Sequence, residues 1–163
     1  MPRSRVCVLD AGPIIHLDEL GRLNLLRDLG ELFVPETVAG EAEHHRPGVM
    51  ERLQVSAVPD FENTSAEVTI AAARRNLHAG EIAALSWADA FGTDLFVSDD
   101  RMARLAAEDL GYETTGTLGV IRIAAEEGHV SKPEAISILN SIAARSTLHV
   151  TPSLVSEVIA RLR

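Results

Sequence analysis

Short unbroken apolar runs, each followed by apolar residues at helical spacing, constrain this chain more than any other feature. Val6-Cys7-Val8-Leu9 is the first run, and Leu32 to Pro35, Leu95-Phe96-Val97 and Tyr112 to Thr115 follow it. A short run without alternation reads as a strand buried on both faces. Val55 to Val58 is a further short strand, running into a Pro-Asp turn. Between these runs the spacing predicts helices. Ile14, Ile15, Leu17 and Leu20 mark one that ends at Gly21, with Pro13 suited to its first position. A second covers Arg22 to Leu29, and a third is capped by Thr37 and carries Glu41 before a polar break from Glu43 to Gly48. Further helices are expected over Ser65 to Asn76, from Glu81 to Gly92, after Asp99-Asp100 to Leu110, and from Gly119 to about Glu127. Lys132 to Ala144 and Pro152 to Leu162 complete the set. Strands alternating with helices define an α/β chain: a central parallel sheet flanked by helices on both faces. Residues 1–130 form its core, and residues 131–163 a C-terminal helical extension packed on the same domain.

With 163 residues, 46% of them hydrophobic and 24% charged, the chain fits one domain with an ordinary core. The lone Cys7 lies within an apolar run and reads as a small core residue, which suits a reducing compartment. Four apolar residues before Asp10 are too few for a signal peptide, and no run reaches membrane-spanning length. The expectation is a cytoplasmic protein without a membrane partner. Net charge is −9, the sign opposite to that of a non-specific polyanion binder. Every base except Lys132 is arginine.

In parallel sheets ligands sit in the crevice at the carboxyl ends of the strands. Asp10 is the first residue after the first strand, and Asp99 and Asp100 follow the third with only Ser98 between. Glu41 and Glu81 lie early in helices whose N-termini face the same edge. Singly, each acid has a structural reading: Asp10, Asp99 or Asp100 as a helix cap, Glu81 as a first-turn acid favoured by the helix dipole, Glu41 as a solvated helix residue. Together, carboxylates crowded at one edge repel and raise one another's pKa unless a cation joins them. Hard oxygen ligands suit Mg²⁺ or Mn²⁺, which lower the pKa of bound water and stabilise an in-line phosphodiester displacement. A shared divalent-metal site of Asp10, Glu41, Glu81, Asp99 and Asp100 is therefore expected, and the negative charge fits it.

These segments resemble the motifs of the PIN-domain nucleases. Val8-Leu9-Asp10-Ala11-Gly12-Pro13-Ile14-Ile15 is similar to the family's first strand and its terminal Asp. Phe33 to Glu41 looks like a second motif, in which a strand ends in Pro and a helix supplies Glu. Gly80 to Ala88 resembles a third, an acid opening an alanine-rich helix, and Val97-Ser98-Asp99-Asp100-Arg101 a fourth. The tract Gly111 to Gly128 is similar to a largely uncharacterised prokaryotic branch. The resemblance implies a three-layer PIN-like domain and a Mg²⁺- or Mn²⁺-dependent endoribonuclease acting on single-stranded RNA. It often implies the toxin of a toxin–antitoxin pair, hence a cognate antitoxin, and a homodimer. By position Asp10, Glu41, Glu81 and Asp100 become the metal-binding catalytic acids, with Asp99 able to ligate or replace Asp100. Ser98 becomes a residue that orients a carboxylate or metal-bound water.

Other signals point elsewhere or nowhere. His44-His45 lacks any zinc-site spacing and reads as a solvated loop pair near Arg46. Gly116-x-x-Gly119 opens a helix that can hold an anion, although a simple turn is the plainer reading. Arg74-Arg75 and Arg101 with Arg104 are either contacts to substrate phosphates or ordinary surface charges. Two rival functions stay open: a non-catalytic binding module of the same fold, and a phosphotransfer domain of receiver type. The latter requires a lysine beside the phosphoryl group, and Lys132 lies beyond the core motifs.

Overall fold

The computed structural model describes residues 2–163. Strands β1 (Val6–Leu9), β2 (Glu31–Phe33), β3 (Leu95–Val97) and β4 (Thr114–Thr115) form one parallel sheet in the order β2-β1-β3-β4. Around it lie α1 (Ala11–Glu19), α2 (Asn24–Arg27), α3 (Glu36–His45), α4 (Val49–Leu53) and α5 (Ala66–Arg75). The remaining helices are α6 (Ala79–Phe91), α7 (Arg101–Asp109), α8 (Thr117–Glu126), α9 (Lys132–Arg145) and α10 (Pro152–Leu162). This is the three-layer α/β architecture that the sequence leads one to expect. Cys7, Val8, Leu9, Phe96 and Val97 have no solvent exposure, as expected of strands covered on both faces. Burial pushes the Cys7 thiol up to about 12, so it is a packing group and not a nucleophile.

The sheet order determines where the site forms. From β1 the chain crosses to β2 on one side, and β3 lies on the other, so the connections diverge at β1 and β3. That divergence opens a crevice at the strands' carboxyl ends. Leu9 pairs with Val97, and the Asp10 amide donates to the Val97 carbonyl at 2.8 Å, so both strands end at one level. On one flank α6 buries Leu85, Trp87 and Ala88, and Trp87 stacks on Phe33 with centroids 4.4 Å apart.

Several element boundaries differ from the pattern-based expectation, each for a local reason. Helix α1 begins at Ala11, two residues before Pro13, because the Asp10 side chain accepts from the Ala11 amide. Thr37 lies inside α3, whose N-cap is Pro35; its amide and hydroxyl both donate to Asp60. The expected break at Glu43 comes later, because α3 continues to His45 while Glu43 accepts from the amides of Gly48 and Met50. His44 and His45 therefore lie on an exposed helix end. Val55 to Val58 forms only an isolated bridge from Val58 to Pro35, and β4 pairs only at Thr114 and Thr115. Helix α6 starts at Ala79, two residues before Glu81, and α8 starts at Thr117.

Candidate active site

All five acids singled out in the sequence line one cavity of about 310 Å³, together with Gly12, His16 and residues Thr147 to His149. Asp10 is its buried end, with 6% exposure. One carboxylate oxygen accepts from the Ala11 amide at 2.9 Å, and the other from the Ser98 hydroxyl at 2.7 Å. Burial pushes the Asp10 carboxyl up to about 6; the bonds from Ser98 and Ala11 oppose this, and the charges of Glu81 and Glu41 add to it. Ser98 is fully buried, and its oxygen also accepts from the Asp100 amide at 3.1 Å, so one hydroxyl links the ends of β1 and β3.

Glu81 is the third residue of α6 and closes a capping box, its carboxylate accepting from the His78 amide at 2.8 Å. Its pKa is raised, first by burial and then by Asp100 and Glu41, against the bond from His78. Asp100 is the N-cap of α7 and accepts from the Ala103 amide at 2.8 Å through Oδ1. Glu41 is exposed on α3 and has no hydrogen-bond donor among the described residues. Its neighbour on α6 is Gly80, where a Cβ would fall 2.6 Å from Glu41 Oε2. The glycine before Glu81 thus leaves the space that the Glu41 carboxylate occupies.

Asp99 is bonded differently. Its Oδ2 accepts from His16 Nδ1 at 2.6 Å and from the Thr117 hydroxyl at 2.6 Å, while Oδ1 accepts from the Thr117 amide at 2.6 Å. Because a carboxylate only accepts, His16 Nδ1 carries the proton. Thr117 is the first residue of α8, so the anion at that glycine-bounded helix N-terminus is the protein's own Asp99. Gly116 makes room for it, since a Cβ there would sit 2.7 Å from Asp99 Oδ1. Sequence reading missed His16 and Thr117. His16 is six residues past Asp10 on a helix and nothing local marks it, whereas Thr117 belongs to the tract that carries part of the family resemblance. It also missed Thr147 to His149, because only tertiary folding brings that strap to the cavity. Arg101 opens α7 but lines a neighbouring cavity, and Arg74-Arg75 lie on α5 outside both. Lys132 is exposed at the start of α9 and does not line the acidic cavity.

The donor set suits a hard divalent cation. Glu41, Glu81 and Asp100 each retain a carboxylate oxygen without a donor, and burial first, then neighbouring carboxylates, raises the pKa of Asp10 and Glu81, a cost to their charged forms that a cation would relieve. Among the described residues no three His, Cys, Asp or Glu side chains converge closely enough to hold one ion, so ligation would require the carboxylates to draw together.

Fold and site together define a parallel α/β domain with carboxylates gathered at the divergence of its sheet. A family model described as DUF3368, a PIN domain, matches residues 6–163, and the chain belongs to that family. No curated protein and no solved structure matches it. PIN domains are generally nucleases and typically use divalent metals. No helix among the described residues is long and apolar enough to cross a membrane.

Proposed function

We propose that the protein is a Mg²⁺- or Mn²⁺-dependent endoribonuclease that cleaves single-stranded RNA at the acidic cavity. The observation that carries this reading is the gathering of Asp10, Glu41, Glu81 and Asp100 in one cavity at the carboxyl edge of a nuclease-type fold. Asp10, Glu81 and Asp100, with Glu41 reaching from α3, would hold the metal. When bound, it supplies charge neutralisation for the phosphodiester and acidifies a water. Ser98 fixes the Asp10 carboxylate through its hydroxyl and so sets which lone pairs face the cavity. Asp99, with both oxygens engaged by His16 and Thr117, acts as a positioning residue that ties α1 to α8 across the site.

The test is cleavage of single-stranded RNA by purified protein. Mn²⁺ or Mg²⁺ should support it, EDTA should stop it, and Asp10→Asn or Asp100→Asn should lower it by at least a hundredfold. Activity surviving both substitutions, or persisting in EDTA, would sink the reading. We further propose that the enzyme is the toxin of a toxin–antitoxin pair, which family membership alone supports. Growth arrest on expression of the wild type, absent for Asp10→Asn, is the expected result; unaffected growth with both counts against toxicity.

A further inference from the structure

A second, larger cavity of about 530 Å³ lies beside the acidic one and shares Asp99, Leu148 and His149 with it. Two kinds of group line it. Leu118 of α8, Val158 of α10, and Leu148 and Val150 of the strap between α9 and α10 are apolar, while Arg101, Arg104, Arg122 and Arg161 bring four guanidinium groups. Arg104 donates to the Ser98 carbonyl at 2.9 Å, and Arg122 pairs with Glu126 at 2.7 Å. Arg101 and Arg161 are exposed and have no hydrogen-bond or ion-pair partner among the described residues. Asp99 is the only acid in the lining, and its oxygens are already occupied by His16 and Thr117. On a chain of net charge −9 the cavity is thus a locally cationic hollow beside a carboxylate cluster.

We infer that this cavity takes one nucleotide of a single-stranded RNA next to the cleavage position. The base would lie against the apolar lining, and an adjacent phosphate on Arg101 and Arg161. The inference rests on the nuclease reading of the acidic cavity and adds what that reading lacks. A polyanion has little reason to approach a group of carboxylates unless cationic groups beside them offset the repulsion. Arginine is suited to this because its planar fork matches phosphate geometry and stacks on bases. The volume falls within the roughly 300–1,000 Å³ of small-ligand sites. A base reaches such a hollow only when it is free of a duplex stack, which accounts for a preference for single strands.

The test uses the full chain carrying Asp10→Asn, so that RNA is not consumed, and a short fluorescein-labelled single-stranded RNA followed by anisotropy. Adding Arg101→Ala and Arg161→Ala is expected to weaken binding at least tenfold. It should also flatten the dependence of log affinity on log salt by about 0.7, the slope of one phosphate on a single strand. Both arginines are exposed and unbonded, so melting curves should be unchanged, and Arg161→Lys should restore part of the affinity. Equal affinity with and without the arginines would overturn the inference and leave the hollow as a protein-contact face; so would failure of the Asp10→Asn host to bind RNA. Metal-dependent cleavage by the wild type is read separately. A protein that binds through these arginines but never cleaves loses the nuclease reading and keeps the pocket. One that cleaves while its arginine variants bind undiminished loses only the pocket.

Discussion

At the scale of single residues, Asp10 is held in a state that favours the proton. Its carboxyl titrates near 6 in the fold against an ordinary value near 3.8, with burial as the main cause. An acid whose folded pKa is raised reduces stability as pH climbs from its unfolded towards its folded value, because only the native state then keeps the proton. The penalty is complete above about pH 6 and amounts to roughly 3 kcal/mol at most. In metal-free buffer at pH 7, Asp10→Asn should therefore raise the unfolding free energy from urea titration, by about 1–2 kcal/mol once the poorer bond to the Ala11 amide is counted, and the midpoint with it. The gain should disappear near pH 4, and equal midpoints at pH 7 would mean that burial does not penalise the Asp10 carboxylate. Gly80 offers a second residue-scale experiment. Alanine there meets the far end of the flexible Glu41 side chain, which swings away at little cost, and alanine favours the helix by up to ~1 kcal/mol. Gly80→Ala should leave the melting temperature equal or higher while lowering metal-dependent cleavage at least tenfold. Unchanged cleavage would mean that Glu41 need not occupy that space.

At the scale of elements, the site is built from helix starts. Asp10 caps α1, Asp100 caps α7, Glu81 closes the box that opens α6, and Asp99 bonds the first amide of α8. Capping and functional readings of these acids, opposed when only the sequence is considered, describe the same side chains, since a cap leaves a carboxylate with free lone pairs. The helices are then clamped to one another. Asp18 of α1, 8% exposed, accepts from Arg46 at 2.7 Å and from both nitrogens of an Arg52 fork at 2.9 and 2.8 Å. Arg52, then Arg46, holds its pKa below the usual carboxylate range against the opposing effect of burial. This contribution is present above the unfolded pKa and is lost as pH falls through the folded one. Asp18→Asn should cost about 1–2 kcal/mol at pH 7, because both guanidiniums stay partly hydrated. The difference should shrink below pH 3 in urea titrations; a constant difference across pH would mean that packing, not charge, is responsible. Asp18 carries no local signal in the sequence, because its partners are 28 and 34 residues away.

At the scale of the whole molecule, α9 and α10 pack on α8 and carry the strap of residues 146–150 to the mouth of the acidic cavity, where Thr147 donates to Glu19. Loading the site should therefore stabilise the entire domain. At a Mn²⁺ concentration a hundred times its dissociation constant, linkage gives about 2.7 kcal/mol, or some 5–10 °C in a domain of this size. Calorimetry should show that rise for the wild type and none for Asp10→Asn; the same rise in both would place the ion elsewhere. The amino-acid sequence by itself determined the parallel α/β architecture and the group of five acids. Unbroken apolar runs admit few environments, and a residue that directly follows a strand has its edge of the sheet assigned by chain direction alone. Tertiary structure decided what distinguishes those acids from one another. Asp10 titrates high because the core closes over it, Asp99 is occupied because His16 and Thr117 reach it from α1 and α8, and Glu41 has room because Gly80 faces it. The arginine-lined hollow belongs to the same category. Its lining comes from α7, α8, α10 and the strap, and only packing brings residues 101 and 161 to one cavity.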